Sequence, residues 1–281
     1  MSGASPLPSR FVKMSGAGND FVMFLGSPSG SPGEAWAIRR LCDRRTGVGA
    51  DGVLFVRRMG ADSVADYFNA DGGAARFCAN GTRCAARLVS VALGLGGDLV
   101  IVTGWGRVGA RVAPDGRVTL TLPEPARRGR TLTTLGLGGG AIASEATEVN
   151  VGVPHLVVAV ADVATLEALD LGLLGPPLRH HPEMPEGANV NFVARRSPSS
   201  LSVRTWERGV ENETLACGSG AVASAAVASA AGASPPLEVL TRSGETLAVD
   251  FETTPEGVAG ARLTGDARLL FEGEIRWEEW R

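Results

Sequence analysis

Two cysteines stand in the same local pattern, 139 residues apart in the chain. Cys78 opens Cys-Ala-Asn-Gly and Cys217 opens Cys-Gly-Ser-Gly, and an alanine-rich run that reads as helical follows each motif. The thiolate is the reactive form of cysteine. A helix N-terminus lowers the thiol pKa, because its unpaired N–H groups and the helix dipole favour negative charge. The sequence therefore predicts two activated thiols.

Two such thiols suit the inversion of a stereocentre, which needs a base on one face and an acid on the other. The small residues after each cysteine, Ala79 and Gly218-Ser219-Gly220, let the backbone approach a ligand closely. Backbone N–H groups at a helix start form an anion site suited to a carboxylate. The alternative interpretation treats both cysteines as small buried hydrophobes. A second alternative is a thiol redox switch or a ligand-binding protein, since two close thiols can oxidise to a disulfide.

The helices that must position these thiols are predicted to be buried. The run Ala221–Ala231 carries no charge, and in Thr82–Leu93 the polar Arg83, Arg87 and Ser90 fall on one stripe. A helix of this kind needs strands around it. We expect a curled β-sheet roll around a central helix in each half of the chain. Cys42 and Cys84 lack the motif and are predicted to be structural.

Strand-like runs outnumber helical ones and do not alternate with them regularly, which predicts an α+β fold. The repeated cysteine motif predicts two similar domains that place one cysteine on each side of a cleft. We expect an N-terminal domain of residues 1–125 plus 267–281 and a C-terminal domain of residues 126–266. The Gly-, Thr- and Arg-rich stretch Arg127–Ala143 is predicted to be a loop at or near their connection. His180 and His181 are predicted to be a surface pair.

Composition excludes several classes of function. A net charge of −3 makes nucleic acid and anionic membrane poor partners. The N-terminus lacks the apolar core of a secretory signal, and no run is long and apolar enough to span a bilayer, so we expect a cytoplasmic protein. Four cysteines without paired CxxC clusters, and three histidines, predict no metal site. Lys13 is the only lysine, which disfavours a pyridoxal phosphate enzyme, and no cofactor is expected.

Four segments together resemble the signatures of the diaminopimelate epimerase family, in order and spacing, from about Phe11 to Phe271. They are Gly16–Phe21, Phe68–Gly72, Cys78–Cys84 and Glu207–Gly220. The resemblance implies two similar α/β domains, each a strand roll around a central helix, and a homodimer. It implies an isomerase that interconverts LL- and meso-2,6-diaminopimelate, a small amino-acid substrate, in lysine and peptidoglycan-precursor biosynthesis.

The resemblance also assigns roles by position. Cys78 and Cys217 would be the acid/base pair, and His155 and Glu207 would assist proton movement near the thiols. Backbone at Ala79-Asn80 and Gly218-Ser219 would hold the reacting carboxylate. The remaining substrate-binding positions are Asn19, Asn69, Asn80, Asn189 and Arg208. The guanidinium of Arg208 suits the distal carboxylate and the amides suit the distal ammonium group.

Each role has a structural alternative. His155 follows a proline and could be a satisfied structural histidine, Glu207 and Arg208 could be a solvated ion pair, and Asn19 and Asn69 could only shape turns. Asn189 could be confused with Asn191, and the spacing to Glu207 favours Asn189.

The chain departs from the family pattern at three places, and the first two concern the distal part of the substrate rather than the thiols. Val153 stands where many members carry Asn, and Gly52 where some carry Gln. One additional residue lies between Val210 and Thr214. Val153 and Gly52 keep open a related two-thiol racemase that acts on another amino acid such as proline, hydroxyproline or histidine.

Overall fold

The computed structural model describes residues 6–31, 33–94, 97–122, 126–254 and 257–280. Its α-helices are α1 (Glu34–Cys42), α2 (Ala79–Leu93), α3 (Val163–Ala168), α4 (Leu171–Arg179) and α5 (Gly218–Ala230), and two 3-10 helices cover Leu137–Gly140 and Trp277–Trp280. None of the helices in these ranges combines the length and apolar character needed to cross a membrane.

The strands are distributed along the whole chain. Those before the midpoint are β1 (Arg10–Gly16), β2 (Asn19–Leu25), β3 (Gly52–Met59), β4 (Asp62–Asn69), β5 (Ala74–Ala75), β6 (Gly97–Thr103), β7 (Gly106–Val112), β8 (Val118–Leu122) and β9 (Ala126–Thr133). The later ones are β10 (Ile142–Asn150), β11 (Pro154–Val160), β12 (Asn189–Ser197), β13 (Ser200–Glu207), β14 (Asn212–Thr214), β15 (Leu237–Leu240), β16 (Thr246–Thr254), β17 (Gly257–Gly265) and β18 (Arg268–Glu274).

The chain forms two compact units, one of Met1–Leu120 with Gly265–Arg281 and one of Thr121–Thr264. In the first unit, β1–β2 pair antiparallel, β2–β3 parallel, β3–β4 antiparallel, β4–β6 parallel and β6–β7 antiparallel. In the second, β10–β11, β11–β12, β12–β13, β13–β15 and β15–β16 repeat those directions in that order. A short strand, β5 or β14, precedes the long helix in each unit. The predicted α+β fold with two similar domains is confirmed.

Each long helix contacts the strands of its own unit along most of the sheet. Helix α2 contacts β1, β2, β3, β4, β6 and β7, and α5 contacts β10, β11, β12, β13, β15 and β16. These contacts confirm the predicted roll of strands around a central helix. Arg83, one of the three polar residues predicted to share a stripe of α2, has a fully buried side chain.

The other helices pack on the opposite face of each sheet. Successive residues of a strand point to opposite faces, so neighbours in one strand serve different cores. Val22 and Val53 join the core that includes Ile38 of α1. In the second unit Leu156 and Val190 join the core built on α3 and α4. The strand residues on the remaining face, which include Phe21 and Leu54, are available to the central helix.

One local prediction was wrong, and one helix was missed. Arg127–Ala143 was predicted to be a loop, but β9 extends through it to Thr133 and pairs with β10. Helix α4 was not predicted, because Leu171–Arg179 contains two prolines and two glycines. It forms because Asp170 caps it, accepting from the Leu173 amide at 3.2 Å, and because Leu171, Leu174 and Leu178 are buried on one side.

Candidate active site

Both motif cysteines are N-cap residues of the long helices. Cys78 has φ −143° and ψ 115°, and the Gly81 amide donates to its Sγ at 3.5 Å. Cys217 has φ −115° and ψ 110°, and the Gly220 amide donates to its Sγ at 3.4 Å. Both side chains are partly exposed. Each sulfur therefore lies at the positive end of a helix of more than three turns, where the thiolate is favoured.

Cys42 and Cys84 lie in a different environment. Both are buried. Burial raises the pKa of Cys42 to about 12, and it also raises the pKa of Cys84. Desolvation disfavours the charged form of a thiol, so these two cysteines remain protonated at neutral pH.

The amides of Asn80 and Asn19 are joined in the first unit. Asn80 Nδ2 donates to Asn19 Oδ1 at 2.6 Å, and Asn19 Nδ2 donates to Asp51 Oδ2 at 2.9 Å. Arg83 Nη2 donates to Asn80 Oδ1 at 2.9 Å. Because an arginine can only donate and a carboxylate can only accept, Arg83 and Asp51 set the orientation of both amides. Asn69, the last residue of β4, is exposed, and its backbone closes a turn with Gly72 and Gly73.

Beyond Asp51, the polar network of the first unit continues as a series of ion pairs. Arg44 bridges Asp51 and Asp20 at 2.7 Å each, and Asp20 pairs with Lys13 at 2.6 Å. Burial by itself would raise the pKa of Asp20, but the hydrogen bonds from Arg44 and Lys13 outweigh it and hold that pKa below its ordinary value. The amine of Lys13, buried against Asp20, also donates to the Gly49 carbonyl.

The second unit carries a buried polar trio. His155 is fully buried, and its Nδ1 lies 3.1 Å from Asn191 Nδ2. Asn191 Nδ2 also donates to the Leu156 carbonyl at 3.3 Å, and Thr205 Oγ1 donates to Asn191 Oδ1 at 3.0 Å. Burial, reinforced by the charge of Arg208, lowers the pKa of His155 to about 3. The imidazole is therefore neutral at physiological pH.

The predicted substrate-binding residues of this unit lie at the adjoining strand ends. Asn189, the first residue of β12, is the register partner of His155, and its Oδ1 accepts from the Arg208 amide at 2.8 Å. The guanidinium of Arg208 donates to the Glu186 carbonyl at 3.1 Å. Glu207, the last residue of β13, accepts from Thr214 Oγ1 at 2.8 Å.

The turn after Arg208 contains the additional residue of this chain. Glu211 has a positive φ of 55°, and its carboxylate accepts from the Gly209 amide at 3.0 Å. The same carboxylate pairs with Arg179 of α4 at 2.9 Å. The backbone that carries Arg208 is therefore tied to α4. Beside the second thiol, Ser219 Oγ lies 3.5 Å from Cys217 Sγ.

The structure therefore groups the predicted residues within their own units. In the first unit it joins Asn19 to Asn80, the third residue of the Cys78 motif. In the second unit it brings His155 beside Asn189, and Asn189 beside Arg208. It also corrects one prediction, because only His180 is exposed. His181 is buried, with Nε2 3.0 Å from the Thr133 carbonyl.

Sequence reasoning missed Asp51, Arg83, Asn191 and Thr205. The signal available for Asn191 was its position two residues after Asn189, which puts both side chains on the same face of one strand.

Comparison with protein families gives one match over most of the chain. The family model described as diaminopimelate epimerase matches residues 11–126 and 147–270. The diaminopimelate epimerase of Aquifex aeolicus is 38% identical over 288 residues, covering 96% of this chain and 98% of the relative. That of Gemmatimonas aurantiaca is 37% identical, covering 94% and 98%.

Solved structures share the fold at much lower sequence identity. A putative phenazine biosynthesis PhzC/PhzF protein from Clostridium difficile superposes with a TM-score of 0.74 at 12% identity, covering 95% of this chain and 99% of that one. A hydroxyproline epimerase from Agrobacterium vitis with bound trans-4-hydroxy-L-proline gives 0.67 at 17% identity, covering 95% and 92%. These structures support the fold alone. From the family model and the full-length relatives, this chain belongs to the diaminopimelate epimerase family.

Proposed function

We propose that this protein interconverts LL- and meso-2,6-diaminopimelate by a cofactor-independent mechanism in which Cys78 and Cys217 are the acid and the base. The observation that carries the proposal is the recurrence of one geometry. In each unit a partly exposed cysteine caps the central helix and accepts a hydrogen bond from the third helical residue. Membership of the family supplies the substrate, since its full-length relatives are named for this epimerisation.

The chemistry is a proton exchange at one carbon. One sulfur, as thiolate, removes the α-proton and becomes a thiol, and the other, as thiol, delivers a proton to the opposite face and becomes a thiolate. The product therefore leaves the two protonation states exchanged, and the reverse reaction uses the same groups in exchanged roles. The mechanism requires both sulfurs to reach the same α-carbon.

The carbanionic intermediate needs its negative charge stabilised. The first-turn N–H groups of a helix lack intrahelical acceptors and carry the positive end of the dipole. Backbone at Ala79-Asn80 and Gly218-Ser219 lies in those first turns. We assign these segments to the reacting carboxylate, where donors aimed at developing charge accelerate the reaction.

The distal amino-acid group of the substrate needs donors for its carboxylate and acceptors for its ammonium group. Arg208 supplies a cation whose backbone is fixed by Asn189. Asn19, Asn69 and Asn80 supply amides, and two of these are oriented by charged neighbours. We assign Glu207, held by Thr214, and the neutral His155 to assisting proton movement at the thiols.

Cofactor independence is supported by the environment of the single lysine. A pyridoxal enzyme needs an accessible amine for its Schiff base. The Lys13 amine is buried and paired with Asp20 at 2.6 Å. An amine buried and paired in this way is not accessible to a cofactor aldehyde, which leaves proton transfer to protein groups.

A homodimer in the cytoplasm is the proposed form of the enzyme. Strand β18 is exposed along almost all of its length, including Leu269, Leu270 and Phe271. A run of exposed apolar side chains on a strand favours association with a second copy. Two thiols that must stay reduced favour the reducing cytoplasm, where lysine and peptidoglycan precursors are made.

The decisive experiment follows solvent deuterium into the substrate. Purified protein, in deuterated buffer with reductant and no added cofactor, should place deuterium at the α-carbon of LL-diaminopimelate and form the meso isomer. Proline, trans-4-hydroxyproline and histidine serve as a parallel panel, because Gly52 and Val153 replace family amides. Exchange into one of these and none into diaminopimelate would select the related racemase and reject the proposal.

Oxidation provides a separate test of the thiol mechanism. A mild oxidant should abolish exchange, and reductant should restore it, since a disulfide leaves neither acid nor base. A protein that binds diaminopimelate without any exchange in reductant would be a binding protein and not this enzyme.

A further inference from the structure

The polar trio of the second unit stands where the first unit has two apolar residues and a tyrosine. By strand register, Phe21 pairs with Gly52 at the start of β3, and His155 pairs with Asn189 at the start of β12. Two residues further along, Leu54 pairs with Tyr67, and Asn191 pairs with Thr205. Phe21, Leu54 and Tyr67 are thus the counterparts of His155, Asn191 and Thr205.

Both trios lie under the first turn of the central helix. A Cβ on Gly81 would come 3.3 Å from the Leu54 methyls and 3.6 Å from the Phe21 ring. A Cβ on Gly220, the matching helix residue, would come 2.2 Å from Asn191 Oδ1. The scaffold therefore accepts apolar side chains, Phe21 and Leu54, at the places that His155 and Asn191 occupy in the second unit.

Polar groups at these positions are an additional cost for the second unit. Burying a polar side chain costs free energy unless it is hydrogen-bonded, and even a satisfied one adds little net stability. In the first unit, the places of His155 and Asn191 are filled by the apolar Phe21 and Leu54. Asn191 and Thr205 are therefore explained better by their effect on the protonation of His155 than by a gain in stability.

The hydrogen bonds of Asn191 have a single consistent direction. The Leu156 carbonyl and the Thr205 hydroxyl fix the amide, because the carbonyl can only accept from Nδ2 and the hydroxyl donates to Oδ1. Asn191 Nδ2 must then donate to His155 Nδ1, which has to be unprotonated. A neutral imidazole with a bare Nδ1 carries its proton on Nε2.

The other ring nitrogen has no partner of its own. His155 Nε2 is buried and makes no hydrogen bond within the ranges that the structure describes. A buried N–H without an acceptor is costly, which points to an acceptor supplied during the reaction. Arg208 is the charged group whose field acts on the imidazole, and α5 contributes no charged side chain.

We infer that Asn191 is a positioning residue that holds His155 in the Nε2–H tautomer, so that His155 serves the proposed reaction as a hydrogen-bond donor rather than as a base. Thr205 fixes the Asn191 amide, and Gly220 leaves room for its oxygen. The inference rests on the proposed function for the reaction that it serves, but the tautomer is a property of the protein alone.

Nitrogen-15 NMR of the full-length protein tests the tautomer without any substrate. The chain has only three histidines, and a His155→Gln variant identifies the signal. At neutral pH, His155 should show a protonated Nε2 and a bare Nδ1. His181 is the internal control, because its Nδ1 accepts from the Glu183 amide and is independent of Asn191. A protonated Nδ1 on His155 would overturn the inference.

Variants then test the role of Asn191. Asn191→Asp should move the His155 proton to Nδ1, since a carboxylate can only accept, and Asn191→Leu, which copies the first unit, should leave the tautomer mixed. Both should lower kcat about 10-fold or more with a smaller change in KM. Thr205→Val keeps the amide but loosens it, and it should give a smaller loss if the Asn191 variants fail to fold.

Two results separate this inference from the proposed function. Failure to turn over diaminopimelate, with the Nε2–H tautomer present, would reject the proposed function only. Loss of kcat in Asn191→Leu with an unchanged His155 tautomer would reject the inference only.

Discussion

The two central helices begin with the same backbone conformation, but different side chains surround the sulfur in each unit. Cys78 and Cys217 cap α2 and α5 with similar φ and ψ, and the third helical residue is glycine in both. Near Cys78, the hydrogen-bonded amides of Asn80 and Asn19 are bound at either end by a charged side chain, Arg83 and Asp51. Arg83 is fully buried five positions after Cys78, whereas the equivalent residue after Cys217 is Val222.

The second unit uses neutral groups instead. Its trio of His155, Asn191 and Thr205 carries no charge at neutral pH, since burial keeps the pKa of His155 near 3. The two units therefore share the feature that both thiols need, a helix N-terminus, and differ in the side chains that pack beneath that helix start. The two thiols are consequently expected to differ in acidity and in their sensitivity to mutation.

The strongest test of this comparison removes one thiol at a time. Cys78→Ser and Cys217→Ser should each lower the epimerisation rate by about 10²–10⁴-fold, because a hydroxyl is a far weaker base than a thiolate. The isomer interconversion is measured in both directions. Cys42→Ser is the matched control, since the pKa of Cys42 is raised to about 12 by burial and its thiol takes no part. Equal activity in all three variants would end the two-thiol proposal.

The buried cation beside the first thiol gives the next largest effect. Arg83→Leu removes the donor to Asn80 Oδ1 and to the Asp266 carbonyl, and it should cost about 2–4 kcal/mol of unfolding free energy. Loss of the positive charge also disfavours the Cys78 thiolate. Alkylation by iodoacetamide, followed by mass spectrometry, should slow at Cys78 and stay unchanged at Cys217.

A second arginine on the same helix controls for this result. Arg87→Leu removes a cation that is only partly buried and lies one turn further from Cys78. It should leave the alkylation rate of Cys78 near that of the wild type. An equal slowing at Cys78 and Cys217 in Arg83→Leu would show that the two thiols share one electrostatic environment.

Much of this comparison was within reach of the sequence. The cysteine motifs and the alanine-rich helices follow from local pattern, because a Cys-x-x-Gly before a helical run specifies its own geometry. Asn19 came from the resemblance to the family. The role of Asn191 was not accessible in that way. Its partners come from β11 and β13, and Asn189 two residues earlier has the same type and faces the same side.

Tertiary packing also determined whether Arg83 and His181 are buried or exposed. Arg83 shares a polar stripe with the partly buried Arg87 and Ser90, but its own side chain is fully buried where α2 packs against the strands of the first unit. His181 was predicted to form a surface pair with His180, yet its buried ring is hydrogen-bonded to the carbonyl of Thr133, 48 residues away. Hydrogen bonds of this range are set by the packing of elements rather than by local sequence.

The two matching glycines test the contact beneath each thiol. Gly220→Ala would place a Cβ 2.2 Å from Asn191 Oδ1, so the amide must move, and we expect a loss of about 1–3 kcal/mol in stability. Gly81→Ala meets the Leu54 methyls at 3.3 Å, which can shift. Its gain in helix propensity, about 1 kcal/mol, should offset most of the strain. Urea denaturation of both variants decides, and equal losses would contradict the asymmetry.

The smallest expected effect is a difference in acid sensitivity between the units. The folded pKa of His155, about 3, lies below the ordinary value of 6.5, so protons favour the unfolded chain between these limits. Stability should fall by about 1 kcal/mol between pH 7 and pH 5.5 from this group alone. In the first unit, Asp20 has its pKa lowered from 3.8, and its contribution is lost only at lower pH. The test measures the urea midpoint as a function of pH across this range. Its dependence on pH should weaken in His155→Gln and persist in His180→Gln, where the side chain is exposed. An unchanged slope in His155→Gln would mean that the folded pKa of His155 is not lowered, so that its imidazole would gain a proton within this pH range instead of staying neutral throughout it.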